Sequence, residues 1–315
     1  MTAEEPVVVA APTVARRYFE VVGEQRARVA EAPPICVYLE VTNRCNLLCE
    51  TCPRTFEALE PPADMSWPLF TSIVDQLPGL ARAVLHGVGE PMLVANLPKM
   101  VKHLKDRSVY VLFNTNGTVL SERNGRALID AGLDELRVSL DASNRESFKA
   151  IRGRDYFGRI IRNVRAFREL QEREGHTKPQ VSIWLTGLKE TVEELPAFVK
   201  VAAEIGVKEV YLQRLVFFDE STIGKARPDQ ALFERLTEGE AAYLKQAEDL
   251  ARSLGMTFSA SGAATEPACS NGCPRRSCRN TSKIMRPGRG RAPTAPARGS
   301  GGGRRAAPRS SGRGR

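Results

Sequence analysis

The sequence predicts an α/β fold organised on a parallel sheet, and three observations lead there. Six short runs rich in β-branched and aromatic residues alternate with longer segments of helical apolar spacing across residues 35–215. Parallel strands need a crossover connection, usually a helix, so this alternation is the pattern of repeated strand–helix units. Cysteines, glycines and short polar residues gather just after the runs, which is the carboxyl edge where parallel sheets carry their ligands. Period alone does not separate an open doubly wound sheet from a barrel. No turn completes the G-x-G-x-x-G dinucleotide fingerprint after the first strand.

Taken in order, residues 14–30 can form a helix with a charged surface, which Pro33-Pro34 ends. The first strand is expected over 35–41, followed by a loop carrying Cys45, Cys49 and Cys52 at spacing C-x3-C-x2-C. Ser66 is placed to cap a helix running to residue 77, with Pro68 tolerated in its first turn. A strand over 81–86 and a helix over 97–105 follow, then a strand over 110–114 closed by Asn116-Gly117. Ser121 is placed to cap a helix to 131, and residues 135–140 form the fourth strand. Ile160, Ile161, Val164, Phe167 and Leu170 mark a helix over 157–174. Strands over 181–185 and 209–212 bracket a helix over 193–205, and a last helix near 240–254 precedes the short run Met256-Thr257-Phe258.

Composition narrows the class. No apolar run approaches the 18 residues of a membrane span, and the first residues lack a basic region before their valine-rich stretch, so no signal peptide is expected. Seven cysteines, an odd number, point to metal ligation in a reducing compartment rather than to disulfides, hence to the cytoplasm. The net charge of +9 belongs to the end of the chain. From Pro267 onward there are 12 Arg, 1 Lys and no acid, so the preceding residues carry 33 bases against 37 acids. The body is therefore not basic, and neither nucleic acid nor membrane is expected as a partner.

Thiolates are soft ligands suited to iron–sulfur clusters or zinc, both of which usually take four protein ligands. No fourth cysteine or histidine lies close to Cys45, Cys49 and Cys52, the nearest being Cys36 and His86. Three thiolates on a four-iron cluster leave one iron open to another ligand. A zinc knuckle completed from a distance, or three unligated thiols, is the competing reading. The other strand ends read His86-Gly87-Val88-Gly89-Glu90-Pro91, Asn114-Thr115-Asn116-Gly117, Ser139-Leu140-Asp141, Thr186-Gly187 and Gln213-Arg214, with Arg152 a little beyond the fourth. Each has a bland reading: a glycine turn, a cap, an exposed helical arginine, a structural histidine.

The C-x3-C-x2-C loop after a strand, followed by the Gly87-x-Gly89-Glu90-Pro91 turn, resembles the radical S-adenosylmethionine (SAM) enzymes, over roughly residues 35–215. The resemblance implies a partial (β/α)6 TIM-like barrel whose three cysteines hold a [4Fe-4S] cluster. It implies that the open iron is chelated by the amino and carboxylate groups of SAM, with Gly87, Gly89, Glu90 and Pro91 at the amino group. Asn114, Asn116, Ser139 and Asp141 would meet the ribose and methionine carboxylate, Arg152 the carboxylate, and Leu185 to Gly187 the adenine. No catalytic side chain is assigned, and His86 is a candidate acid–base group. The implied reaction is cleavage of SAM to a 5′-deoxyadenosyl radical that abstracts hydrogen from a peptide, cofactor precursor or small metabolite, with flavodoxin or ferredoxin as electron donor. A non-catalytic zinc or iron–sulfur protein is the alternative. Thr51 stands where many members carry an aromatic residue, which weakens adenine packing.

Four segments are expected: an N-terminal helical one (1–34), the core (35–215), a helix and strand completing it (216–260), and a cysteine-containing Arg/Gly/Pro-rich tail (261–315). Cys269, Cys273 and Cys278 resemble the start of the auxiliary-cluster extension of the SPASM-type subgroup, without its further cysteines. The tail reads as a disordered basic arm, a short metal site, or out-of-frame translation of a GC-rich gene.

Overall fold

The computed structural model describes residues 32–56, 60–215, 226–232 and 236–261. The expected helix over 14–30 and the tail with Cys269, Cys273 and Cys278 lie outside the described residues. Seven strands make one sheet: β1 (Cys36–Tyr38), β2 (Arg82–Val84), β3 (Tyr110–Thr115), β4 (Glu135–Ser139), β5 (Gln180–Gly187), β6 (Glu209–Arg214) and β7 (Thr257–Ala260). Their order is β1 to β7 without interruption, and every pair is parallel. That order decides between the two architectures periodicity left open. A doubly wound sheet reverses strand order at its switch point. Here it never reverses, so right-handed crossovers place the helices on one side, and the sheet curls as a partial TIM-like barrel.

The six expected strand–helix units are joined by a seventh strand, which falls on the short run expected to complete the core. β7 pairs with β6, beginning with Thr257 N–H donating to Lys208 O at 2.8 Å. It is short and only partly buried, so the sequence marked the run without fixing its bounds.

The helices are α1 (Trp67–Asp75), α2 (Leu97–Lys105), α3 (Glu122–Asp130), α4 (Arg145–Arg152), α5 (Phe157–Glu174), α6 (Leu195–Glu204) and α7 (Glu238–Ser253). Ser66 and Ser121 cap α1 and α3 as their positions suggested, accepting from Leu69 N and Asn124 N. A capping box of Thr237 and Glu240 starts α7. Helix α4 was not expected. It has eight residues, too short for a clear apolar period, and is set by Asn144 accepting from Ser147 N and by the burial of Phe148 and Ile151.

Strand alternation sorts the two faces of the sheet. Val111, Phe113, Leu136, Val138, Ile183 and Leu185 are buried in one core with Leu104, Val164, Phe167 and Phe198 of the helices. The alternate residues, among them Asn114, Arg137, Ser139, Trp184 and Tyr211, are only half-buried. A closed barrel fills its interior with branched apolar side chains. This concave face carries polar and aromatic ones, and its carboxyl edge holds the site.

Candidate functional site

The cysteine loop is clamped from three sides. At its start, Met65 N donates to Val41 O at 2.8 Å, and Thr42 Oγ1 donates to Ala63 O at 3.0 Å and Asp64 Oδ1 at 2.7 Å. Arg44 pairs with the same Asp64, donating through Nε at 2.8 Å. On a second side, the last carbonyls of α4, which a helix end leaves without intrahelical donors, take the loop's amides. Leu48 N donates to Arg152 O at 3.2 Å and Glu50 N to Ile151 O at 2.9 Å. The chain leaves α4 through Gly153 at φ 69°, where a Cβ would lie 2.3 Å from Leu48 O, so the left-handed turn and the close approach both require glycine. On the third side, Asn46 donates to Thr118 Oγ1 and accepts from Asn116 Nδ2, both at 2.8 Å. Arg54 closes across the loop by donating to Leu47 O at 2.9 Å.

So held, Cys45, Cys49 and Cys52 line a cavity of about 280 Å³. Burial pushes the Cys45 and Cys52 thiols up, outweighing a backbone hydrogen bond from Leu47 and Arg54 respectively. Among the described residues no three ligating side chains close on a single ion position, so the thiols frame the cavity rather than converge on a point.

The turn after β2 packs directly on this loop. Glu90 N donates to Arg44 O at 2.8 Å. A Cβ on Gly89 would lie 2.0 Å from Thr42 O, and one on Gly87 would lie 2.3 Å from the Glu40 carboxylate. The glycines therefore serve to press turn against loop. Glu90 is 2% exposed. Its carboxylate accepts from Thr115 Oγ1 (2.7 Å), Asn116 N (2.6 Å) and Met92 N (3.0 Å). Burial nonetheless raises its pKa against these bonds and the Arg152 charge. A carboxylate held in that balance favours a cationic neighbour.

Arg152, whose bland reading was an exposed helical arginine, is buried. Its guanidinium pairs with Asp141 at 2.6 Å and approaches Cys49 Sγ at 3.5 Å. Burial works against its charge, but the Asp141 carboxylate and the Cys49 thiol outweigh that and raise its pKa. Asp141 adopts φ 61°, a left-handed conformation that Asp tolerates better than most, and accepts from Thr186 N at 2.7 Å. His86 accepts from Asn114 N through Nδ1 at 3.1 Å. Burial and the nearby Arg137 charge lower its pKa to about 4.

The cavity is lined by Gly87, Gly89, Glu90, Asn114, Asn116, Ser139, Asp141 and Arg152 together with the three cysteines. Pro91 is not on its wall: it is buried behind Glu90 as the first residue of a 3-10 turn. Thr115, Trp184 and Gln213 also line it, and sequence reasoning gave them no role of their own. Asn46, Arg54 and Thr118, which hold the loop, were likewise missed, although Asn46 lies inside the cysteine motif and the other two follow it or Asn116-Gly117 within two residues. Three buried atoms on this wall lack a hydrogen-bond partner among the described residues, the donor Arg152 Nε, the acceptor Asn114 Oδ1 and the hydroxyl Thr55 Oγ1. No helix among the described residues is long and apolar enough to cross a membrane.

A family model described as Radical SAM superfamily matches residues 39–202, slightly more than half of the chain. The tungsten-containing aldehyde ferredoxin oxidoreductase cofactor-modifying protein of Pyrococcus furiosus is 28% identical over 57% of this chain and 51% of its own length. The mycofactocin maturase MftC of Mycolicibacterium smegmatis is 28% identical over 58% of this chain and 45% of its own. The chain thus spans about half the length of these curated relatives. In fold it is similar to Streptococcus suis SuiB bound to S-adenosylmethionine, with a TM-score of 0.59 at 12% identity, covering 82% of this chain and 57% of that one. SuiB bound to its precursor peptide SuiA superposes with the same TM-score of 0.59 at 14% identity, over 83% and 56%.

Proposed function

The chain belongs to the radical SAM superfamily, and from that premise we propose that it is an enzyme abstracting hydrogen from a peptide, a cofactor precursor or a small metabolite. The family's cofactors are a [4Fe-4S] cluster and SAM, and the donor set fits both. Cys45, Cys49 and Cys52 would hold the cluster. When bound, the two groups supply reductive cleavage of SAM and a carbon-centred hydrogen abstractor.

The observation that carries this reading is the convergence, on one cavity wall, of three thiols, a buried carboxylate and a buried guanidinium contributed by distant parts of the chain. Glu90 would take the SAM ammonium group, whose charge would relieve a carboxylate that burial disfavours. Arg152 places a permanent positive charge beside Cys49 and keeps Nε free, suited to the anionic cluster and to the methionine carboxylate. Asn114 Oδ1 needs a donor, which a ribose hydroxyl would supply, with Asn116 and Ser139 beside it. Asp141 positions Arg152 and the Thr186 backbone, next to the Leu185 and Thr186 wall assigned to the adenine. Gly87, Gly89 and Pro91 act one step removed, by seating Glu90 against the loop.

The maturase and cofactor-modifying relatives favour a peptide or cofactor precursor as substrate, and a flavodoxin or ferredoxin in a reducing cytoplasm would deliver the electron. The SPASM-type subgroup is the placement that the maturase likeness supports. Anaerobic reconstitution with iron and sulfide tests the whole. The expected product is a brown protein that converts SAM to methionine and 5′-deoxyadenosine when reduced. Stoichiometric zinc with no cleavage would favour a non-catalytic metal-binding protein instead.

A further inference from the structure

We propose that His86 and Arg137 form a substrate subsite next to the SAM residues, at which the imidazole Nε2–H and the guanidinium together hold a carboxylate of the substrate. The proposal deepens the radical SAM reading above and rests on it for the word substrate.

His86 lies on the cavity wall after β2. Its Nδ1 is committed as acceptor from Asn114 N at 3.1 Å. The ring proton of the neutral imidazole must then sit on Nε2, since the second nitrogen's bond sets the tautomer. Among the described residues Nε2 donates to no protein acceptor, so the wall presents a fixed N–H. Burial and the Arg137 charge keep the ring neutral down to a pKa of about 4, which makes Nε2–H a donor throughout the working range.

Arg137 stands two residues before Ser139 on β4. Side chains two apart share a face, and Arg137 is the register partner of Asn114 on β3, so it stands on the same concave surface, level with the residue whose amide bonds His86. Its Nε donates to Glu135 Oε1 at 2.5 Å, and its Cζ lies 4.2 Å from the centre of the Trp184 ring. Trp184 is itself immobilised, stacked on Tyr211 at 4.1 Å and donating from Nε1 to Ser182 Oγ at 2.9 Å. The guanidinium is thus held at one edge and over one ring, while among the described residues its two terminal nitrogens donate no hydrogen bond. It is 16% exposed. A planar fork with two free donors matches a carboxylate, and a neutral N–H beside it adds a third donor without a second charge. Nothing in the SAM assignment uses either residue.

Trp184 lets the subsite be read directly. The chain has two tryptophans, so in Trp67→Phe the fluorescence reports from Trp184 alone. With the full-length chain, N-acetylglycine is expected to give a saturable change, and its neutral amide, N-acetylglycinamide, a dissociation constant at least tenfold higher. His86→Leu is expected to weaken N-acetylglycine at least fivefold, and His86→Gln, whose amide N–H can still donate, to recover part of that. Equal binding of acid and amide, tighter binding of inorganic phosphate, or an unchanged constant in His86→Leu would overturn the assignment. The acid–amide comparison needs no His86 variant and stands if one fails to fold. Failure of the wild type to bind a cluster or SAM would remove the family reading while leaving the carboxylate measurement intact.

Discussion

Replacing Arg152 by Met separates the two things this residue does. Arg152 and Asp141 form an ion pair whose side chains are 10% and 4% exposed. Removing one partner of such a pair leaves a buried charge and costs about 3–5 kcal/mol. Asp141 keeps the Thr186 amide at 2.7 Å, and Met retains the apolar bulk of the stem, so about 3 kcal/mol is expected. The backbone bonds from Leu48 and Glu50 to the end of α4 do not involve the side chain, so the cysteine loop should stay in place. Adding Asp141→Asn removes the stranded charge, and Asn tolerates the left-handed φ of 61°. The double variant should then lose only about 1 kcal/mol, about 2 kcal/mol less than Arg152→Met alone. Urea unfolding of the cluster-free chain, followed by circular dichroism, measures both. A single-variant loss below about 1 kcal/mol, or a double variant no more stable than Arg152→Met, would refute a buried pair. In the reconstituted protein Arg152→Met should bind iron yet cleave SAM poorly.

The remaining expectations are shorter. Gly89→Ala should destabilise by about 3 kcal/mol or more, since the new Cβ meets backbone oxygen at 2.0 Å, whereas Gly87→Ala meets only the exposed Glu40 side chain and should lose less than about 1 kcal/mol; chemical denaturation of the pair checks the contrast. Glu90→Gln should weaken SAM binding about ten- to hundredfold, the worth of a charge-assisted bond of about 1.5–3 kcal/mol, with cluster absorbance unchanged; unaltered affinity by equilibrium dialysis would reduce Gly87 to Pro91 to an ordinary turn. His86 titrates near 4 in the folded chain against 6.5 when free, so between those values the unfolded chain binds more protons. Stability contributed by neutral His86 is present above pH 6.5 and falls by about 3 kcal/mol on descending to pH 4; His86→Gln should flatten that slope in unfolding curves taken across the window.

How far the sequence could be read depended on the length over which each signal ran. Strands β2 to β6 and helix α5 repeat their period for long enough to declare themselves, and the strand ends therefore located the cavity wall. The C-x3-C-x2-C loop and Glu90 are local patterns, legible without a fold. Helix α4 was lost because eight residues carry little periodicity, and with it went the burial of Arg152, which depends on Asp141 and Cys49 arriving from elsewhere. The work of Gly89 was equally hidden: the glycine reads as a place where a ligand approaches, while the obstacle is the carbonyl of Thr42. The Trp184–Tyr211 stack needs strands β5 and β6 in register, a fact no single stretch contains. Strand β7 was legible only as the short run at 256–258, because four partly buried residues carry little pattern and their pairing depends on β6.

The most direct test of the account is SAM cleavage by the anaerobically reconstituted, reduced chain, measured as 5′-deoxyadenosine by chromatography for the wild type and for Cys45→Ala, Cys49→Ala and Cys52→Ala. The account predicts an iron–sulfur chromophore and 5′-deoxyadenosine in the wild type, and neither in any of the three variants. Cleavage surviving the loss of one cysteine, or a wild-type chain that takes up iron and sulfide but leaves SAM intact, would contradict it.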